Sequence, residues 1–412
     1  MRLWLVGGLI VLLIIAGVGY QALRAPSVDS NPVAQAIFTY DLLIRNVVIV
    51  DGSGEDRQYG SIGILGDKIT AIGPSIGGLA RRVIDGKGLY ASPGFIDLGP
   101  LAAPNSRKVL MGVTTQVITS LDPAPLRSVA LNTNLAWLVD QEGILGQAIG
   151  ATGGKLTASQ VQESTQKLSS ALRLGASGTY LRASPAVANW FKTDEAFWDV
   201  LMKQGSRLFW QVPVDDPNVR DAVTGLLARS AAHQVSVHLS GINLSHPSNW
   251  GRVYDVINLI DRGGAAVSGD IVPYFDRPQV AERDLVVFVS HPSIAIASGS
   301  DSRHPAIVGA YPRLLQRFVN QEPILSIEEA VAKSTSLPAS VLALDGRGLL
   351  RTGYWADIVL FDGSAVHAPE DATQSSALPQ GVHTVIVNGR IAVEAGKETG
   401  ERAGAILPHK GK

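Results

Sequence analysis

The middle of the sequence alternates short apolar runs with longer amphipathic stretches, and this pattern limits the fold more than any other feature. Helical patterns cover residues 159–174, 196–205, 218–232, 250–262 and 327–344. Eight apolar runs have the length and composition of β-strands, at residues 94–98, 114–120, 131–139, 176–181, 207–213, 234–240, 266–271 and 294–300. Eight strands separated by helices or long links predict an α/β fold of the (β/α)8 TIM-barrel type.

Two β-rich regions flank this middle part. DLLIRNVVIVDGSG and SIGILGDKITAIGP precede it, and ADIVLFDGS and HTVIVNGRIAVEAGK follow it. Each is a set of short strands broken by Gly, Asp or Pro, the residues that form tight turns.

The first 24 residues have a different composition. Residues 3–23 carry no charge, and a helix of that length spans about 30 Å, the thickness of a bilayer core. Trp4 and Tyr20 lie near its two ends, where aromatic side chains suit the membrane interface. A cleaved signal peptide is the rival interpretation, but the run is long for one and lacks an obvious small-x-small cleavage site.

We therefore expect an uncleaved transmembrane anchor over residues 1–24, inserted in the lipid bilayer, and a tether over residues 25–39. Arg2 and the amino terminus favour an amino end that stays inside. The expected location is the bacterial inner membrane, with the barrel in the periplasm.

Charge and cysteine content exclude several classes of protein. The chain has 35 Lys+Arg against 36 Asp+Glu and a net charge of -1, which argues against a nucleic-acid partner. It has no cysteine, so disulfides and thiolate zinc sites are excluded. The first histidine is His233, so the first 232 residues supply neither His nor Cys, the commonest zinc ligands.

An ordered series of motifs resembles one family. It includes DGKGLYASPGFID, MGVTTQVI, NWGRVYDVINLI, DIVPY, SGSDS, GAYPRLLQRFV and TSLPASVLALDGRGLLRTGYWADIVLFD. The series resembles the amidohydrolase superfamily, in its N-acyl-D-amino-acid deacylase (D-aminoacylase) branch. The resemblance implies a barrel over residues 93–346 and a small β-sandwich built from both chain ends, over 40–92 and 347–405. It also implies zinc at the carboxyl end of the barrel and hydrolysis of a small-molecule acyl amide, a non-peptide carbon–nitrogen bond.

The metal positions of the family are mostly lost. The family's GFID-x-H-x-H run reads GFIDLGPL here, which puts Gly99 and Leu101 in the histidine places. Leu121 stands for a cysteine after the GVTT strand, and Gln211 stands for a histidine after the fifth strand. His238 is the one histidine ligand that is kept, and these are too few ligands for a tight zinc site. We therefore expect no bound zinc.

Two further positions concern catalysis and substrate. Asp301 in SGSDS matches the family's proton shuttle; a general base and a turn cap are both open for it. The family's HPR run reads His304-Pro305-Ala306, and Arg303 beside it is the candidate for pairing with a substrate carboxylate. Asp97 and Asp270, each at a strand end, are expected to have structural roles, and a buried histidine with one hydrogen bond is the other interpretation of His238.

Three hypotheses follow. The first is a degenerate, membrane-tethered deacylase that binds a ligand or partner at the old barrel mouth. The second is a working hydrolase that uses His238 and Asp301 as acid and base with an altered or weak metal site, helped by Asp122 or Gln211. Separately, the reserve histidines His246, His291 and His304 would form a site of a new kind if all three turned toward His238. The third is a non-catalytic interaction subunit, favoured if Phe209, Trp210 or Trp190 plugs the mouth. Whether the chain is an enzyme is left open.

Overall fold

The computed structural model describes residues 39–150, 157–182, 194–213, 216, 218–242, 250–274, 282–300, 304–369 and 377–409. Two large sheets organise this part of the chain. One is a parallel sheet surrounded by helices, and the other contains strands from both ends of the described chain.

The parallel sheet contains eight strands in sequential order, which is the arrangement of a TIM-type barrel. Its strands are β6 (Phe95–Leu101), β7 (Val113–Ser120), β8 (Asn134–Asp140), β9 (Gly178–Leu181), β10 (Arg207–Gln211), β11 (Val237–Ser240), β12 (Val267–Ile271) and β13 (Ile294–Ile296). All eight predicted strands are confirmed within a few residues. A short ninth strand, β18 (Ile406–Leu407), pairs in parallel with the start of β8.

Helices connect or cover these strands. They are α1 (Gln141–Gly150), α2 (Ala158–Arg173), α3 (Glu195–Lys203), α4 (Val219–Ala232), α5 (Trp250–Gly263), α6 (Glu282–Ser290), α7 (Ala306–Arg313), α8 (Ile327–Ser334) and α9 (Ser336–Val341). Short 3-10 helices span Ser106–Met111, Ala124–Ser128 and Gly264–Ala266, and a π-helix spans Leu314–Gln321. The α2 start is fixed by a capping box in which the Thr157 hydroxyl accepts from the Gln160 amide.

Alternate residues of each strand face opposite sides of the parallel sheet. In β8, Leu135, Trp137 and Val139 join the large core shared with the surrounding helices. Ala136 and Leu138 instead belong to a second apolar cluster, together with side chains of β6, β7, β9, β10 and α9. This second cluster fills the inside of the barrel, so the barrel is a packed core rather than a pore.

Side chains and backbone groups join the first and last barrel strands. The Asp97 carboxylate of β6 accepts hydrogen bonds from the backbone amide and the hydroxyl of Ser298, just after β13. Its second oxygen also pairs with Lys108 Nζ at 2.5 Å, and both side chains are fully buried. The Tyr311 hydroxyl lies 3.1 Å from the Ile96 carbonyl oxygen and 3.2 Å from that of Ile296. We call Asp97, Lys108, Ser298 and Tyr311 the barrel seam.

The second sheet is mainly antiparallel. Its strands are β1 (Tyr40–Ile49), β2 (Gln58–Leu65), β3 (Lys68–Gly73), β4 (Ala80–Asp85), β5 (Tyr90–Pro93), β14 (Ile358–Phe361), β15 (Val382–Val387), β16 (Arg390–Glu394) and β17 (Lys397–Glu398). They run in the order β17-β16-β15-β14-β5-β1-β2-β3, with β4 paired to β1. Isoleucines and leucines from strands at both ends of the sheet share one core, so the sheet folds over on itself. The exact domain boundaries given above stay a prediction.

The expected transmembrane helix is corrected. The fold class was predicted with such a helix at residues 1–24, and the chain was placed in the membrane. No helix in the part of the chain that the structure describes combines the length and apolarity needed to cross a bilayer. The segment on which the prediction rested lies outside the described residues. The fold class is therefore a TIM-type parallel barrel with a second, folded β-sheet, and the membrane location is withdrawn.

Candidate functional site

A cavity of about 140 Å³ opens where the barrel strands end at their carboxyl side. This is the face on which TIM barrels build their sites, because the loops after the strands converge there. We call it the mouth cavity. Its described lining comprises Gly99, Pro100, Tyr180, Gln211, Ser240, Gly241, Asp270, Val272, Tyr274, Ser298, Gly299, Ser300 and His304.

Asp270, at the end of β12, is the one carboxylate in this lining. One of its oxygens accepts from the Gly241 backbone amide at 2.9 Å. The other lies 2.8 Å from His238 Nε2. Asp270 is 1% exposed, and these two partners hold its carboxylate in place.

A line of polar side chains runs from Asp270 into the barrel. His238 Nδ1 lies 2.9 Å from Ser268 Oγ, and Arg207 Nη1 donates to the same oxygen at 3.2 Å. We call Arg207, Ser268, His238 and Asp270 the interior polar chain. Burial lowers the pKa of Arg207 to about 10, so its guanidinium is still charged at pH 7.

The proton positions along the interior polar chain follow from its partners. The Asp270 carboxylate only accepts, so His238 Nε2 carries the proton and donates to it. Ser268 Oγ accepts from Arg207, and its own proton is available for donation to His238 Nδ1. Burial lowers the pKa of His238 against the opposing effect of Asp270, which favours the neutral imidazole that this arrangement needs.

A lowered histidine pKa makes stability depend on pH. Between the folded pKa of His238 and its unfolded value near 6.5, the unfolded chain binds more protons than the folded chain. The contribution of His238 to the free energy of unfolding is therefore complete above about pH 6.5 and is lost as pH falls. We expect the free energy of unfolding, measured in urea, to drop from pH 7 to pH 5. The drop should be smaller in His238→Asn. His409, whose pKa is also lowered by burial, contributes in the same direction, so His409→Asn is the matched comparison. An unchanged pH dependence in His238→Asn would contradict the neutral assignment.

The order serine, histidine, aspartate in the interior polar chain is that of a nucleophile, a base and its orienting acid. The hydroxyl, however, belongs to Ser268, which does not line the mouth cavity. His238 has no exposed surface, and Phe209 packs on its ring with centroids 5.2 Å apart. The geometry therefore orients Asp270 and gives Ser268 no access to a substrate in the cavity.

The place of the family's first histidine is closed by backbone. A Cβ atom on Gly99 would lie 2.4 Å from the Gly299 carbonyl oxygen and 2.7 Å from the Gly299 nitrogen. Such distances are shorter than side chains adopt, and both contacts are with backbone atoms. The end of β6 and the turn after β13 approach so closely that position 99 has no room for a side chain.

The other positions that were predicted to be degenerate are occupied in different ways. Leu101 is buried in a small apolar cluster with Ile307 and Val308 of α7. Leu121 follows β7 and is 39% exposed. Gln211 lines the mouth cavity, where its Oε1 accepts from the Tyr180 hydroxyl at 3.2 Å. None of these side chains supplies a nitrogen or carboxylate donor for zinc.

The described residues contain no group of three or more His, Asp or Glu side chains that could hold a metal ion. His238, the retained ligand position, has both ring nitrogens in hydrogen bonds to Ser268 and Asp270. The described donor set therefore does not fit the zinc site that the resemblance implies. Asp301, Arg303 and His246 lie outside the described residues, so their predicted roles stay predictions.

The structure describes two of the three reserve histidines, His291 and His304, and they lie far apart from each other. His304 lines the mouth cavity, and its ring meets Tyr274 edge-on with centroids 5.7 Å apart. His291 lies before β13, at the opposite end of that strand, and pairs with Asp261 at 2.8 Å. Phe209 and Trp210 are buried in the barrel interior and the outer core respectively, and neither lines the cavity. Trp190 lies outside the described residues.

Lining residues such as Tyr180 had no motif to mark them, whereas Ser298 belongs to the SGSDS run. Tyr180, Ser240 and Ser298 reach the cavity because they lie at or just after the carboxyl ends of β9, β11 and β13. Strand ends in a parallel barrel meet on one face, so the strand pattern was the available signal. The pairing of His238 with Asp270 joins two motifs 32 residues apart, and no local pattern encodes it.

Known proteins resemble this chain over most of its length. A model of the "Amidohydrolase family" matches residues 287–393. An N-acyl-D-glutamate deacylase of Alcaligenes xylosoxydans xylosoxydans is 28% identical, with 89% of this chain and 96% of that protein covered. An N-acyl-D-aspartate deacylase of the same organism is 25% identical, covering 92% and 97%. The first alignment spans 474 residues, more than the 412 of this chain, so that relative carries insertions absent here.

Solved structures show the same fold. An N-acyl-D-glutamate deacylase from Bordetella bronchiseptica, complexed with zinc and a phosphonate inhibitor, has a TM-score of 0.81 at 23% identity, over 90% of this chain and 99% of that one. A D-aminoacylase structure has a TM-score of 0.82 at 22% identity, over 90% and 100%. The chain is similar to the amidohydrolase family and, over most of its length, to deacylases of the D-aminoacylase branch, as its motifs predicted.

Proposed function

We propose that this protein is an amidohydrolase-fold protein that lacks the zinc-dependent deacylase site and binds a small ligand in the mouth cavity. The observation that carries the proposal is the contact between Gly99 and the Gly299 backbone, which leaves no room for a metal ligand at position 99. A zinc hydrolase needs about three protein ligands and an open position for water. Gly99 and Leu101 stand at the first two ligand positions of the family, and neither side chain can bind zinc.

The two polar groups left at the centre support a binding role. His238 and Asp270 hydrogen-bond to each other, and each has one further described partner, Ser268 for His238 and Gly241 for Asp270. A histidine with no exposed surface does not exchange protons with a substrate without moving. Asp270, by contrast, lines a cavity of about 140 Å³ that has room for a small molecule.

The similar deacylases define the substrates that must be tested. Their names give N-acyl-D-glutamate and N-acyl-D-aspartate, so hydrolysis of these amides is the alternative function. In that alternative, His238 and Asp301 would act as acid and base with an altered or weak metal site.

The test is release of free D-amino acid from N-acetyl-D-glutamate and N-acetyl-D-aspartate, with zinc added and with a chelator added. The Alcaligenes N-acyl-D-glutamate deacylase is the positive control. We expect no release above the buffer rate in either condition. Release that the chelator abolishes would establish a metal hydrolase and overturn the proposal. Release that survives the chelator but is lost in His238→Asn would overturn it in favour of the altered route.

A further inference from the structure

We propose that the mouth cavity binds the primary ammonium group of a small molecule, with Asp270 as its carboxylate partner. This inference rests on the proposed function, because it assigns a ligand class to the same cavity. It adds that the ligand carries a free, positively charged amine rather than an acylated one.

The hydrogen bonds of Asp270 leave acceptor capacity toward the cavity. Each carboxylate oxygen accepts one hydrogen bond among the described residues, from Gly241 or from His238. A carboxylate oxygen has two acceptor sites, so one site on each oxygen is left. Asp270 lines the cavity, and its two hydrogen-bond partners hold its carboxylate in a fixed orientation there. An ammonium group, with three donors, matches this arrangement.

The charge distribution favours a cation. The described lining of the mouth cavity contains one carboxylate and no lysine or arginine. The imidazole behind Asp270 is fully buried and donates to the carboxylate from Nε2. The positive charge of Arg207 lies at the other end of the interior polar chain, with Ser268 and His238 between it and Asp270. A cation in the cavity therefore meets a carboxylate that no cation of the described lining neutralises directly.

Neutral oxygen atoms extend the recognition surface. The Tyr180 hydroxyl donates to Gln211 Oε1, which leaves the lone pairs of the tyrosine oxygen as acceptors. Ser240, one residue before the amide that holds Asp270, adds a hydroxyl to the same lining. These groups offer acceptors for the remaining ammonium protons.

The size of the cavity limits the ligand. A volume of about 140 Å³ is close to the roughly 150 Å³ of a cavity that binds benzene, so the cavity suits a ligand of a few heavy atoms. Acylating the amine removes its charge, leaves one N–H donor and adds the bulk of the acyl group. A negatively charged ligand of the same size would be repelled by Asp270. The cavity therefore selects a short free amine over a neutral amide and over a carboxylate.

The experiment uses three probes of similar size: n-propylammonium, propionamide and propionate. Binding is followed by saturation-transfer NMR on the purified full chain at pH 7. We expect saturation transfer to n-propylammonium alone, with a dissociation constant of about 1–10 mM, typical of a four-atom ligand. Asp270→Asn should weaken it at least tenfold.

Two other variants make the result specific. Asp261→Asn changes a carboxylate that also pairs with a histidine but lies on the surface, so it should leave binding unchanged. Val272→Phe fills the cavity without altering its charge and should abolish binding. It also serves as the decisive variant if Asp270→Asn does not fold, as judged by near-ultraviolet circular dichroism.

Three results would overturn the inference: no transfer to n-propylammonium, equal transfer to propionamide, or transfer that persists in Val272→Phe. Zinc is measured in the same samples. A zinc-free, folded protein without amine binding would refute the ligand class alone. A zinc-loaded protein would instead refute the proposed function on which the ligand class rests.

Discussion

Replacing Asp97 with alanine is expected to lower the free energy of unfolding by about 3–5 kcal/mol, because it leaves Lys108 buried without its charge partner. It also removes the acceptor for the Gly99 and Ser298 amides and the Ser298 hydroxyl. These bonds join β6 to the segment after β13, so the variant also weakens the barrel seam. Urea denaturation at pH 7 measures the loss.

A double variant separates the buried charge from the lost seam. Asp97→Ala with Lys108→Met removes the unpaired ammonium, so its loss of stability should be smaller than that of Asp97→Ala alone. If Asp97→Ala lowers the free energy of unfolding by less than about 1 kcal/mol, the Asp97–Lys108 pair contributes no more than an exposed ion pair. The barrel seam would then not stabilise the fold.

Gly99→Ala is expected to destabilise the protein by about 3 kcal/mol or more, or to prevent folding. The new methyl group would lie 2.4 Å from the Gly299 carbonyl oxygen, and relief requires a shift of the backbone between β6 and β13. Gly99→His, which restores the family residue, should be at least as damaging and should not confer zinc binding. Thermal and urea unfolding give the measurement.

Gly225→Ala is the matched control. Gly225 lies inside α4, and a Cβ there meets nothing within 4 Å. An alanine in a helix is favoured over glycine by about 0.5–1 kcal/mol, so this variant should be slightly more stable than the natural protein. Equal, small effects at the two glycines would show that position 99 has room for a side chain, against the account given above.

The strand pattern predicted most of the fold. Apolar runs and their spacing predicted all eight barrel strands, because a buried parallel strand has a nearly continuous apolar sequence. Helices α1, α6 and α7 were not predicted. The sequence of α7 contains Pro312 and Gly309, which normally argue against a helix, and packing on the barrel outweighs that preference.

The candidate site was harder to predict from the sequence than the fold was. The motifs predicted which ligand positions have changed, but not how the fold occupies those positions. The closure at Gly99 depends on Gly299, 200 residues later in the chain, and this contact exists only in the folded barrel. Asp270 was expected to be structural. It is indeed bound to His238 and Gly241, yet it also lines the mouth cavity.

The role of Asp97 illustrates the same point. Its retention beside the lost histidines indicated packing or capping, and the structure agrees, since Asp97 caps the Gly99 amide and pairs with Lys108. The partner Lys108 comes from a 3-10 helix that no periodic pattern marked. Long-range ion pairs of this kind are fixed by topology rather than by local sequence.

The most direct test of the central claim is the zinc content of the purified full chain. The protein is equilibrated with a slight excess of zinc, dialysed and examined by elemental analysis, with the N-acyl-D-glutamate deacylase from Bordetella bronchiseptica treated in parallel. Because the described donors do not form a zinc site, we predict far less than one zinc per folded chain. One zinc per chain, retained through dialysis, would contradict the account.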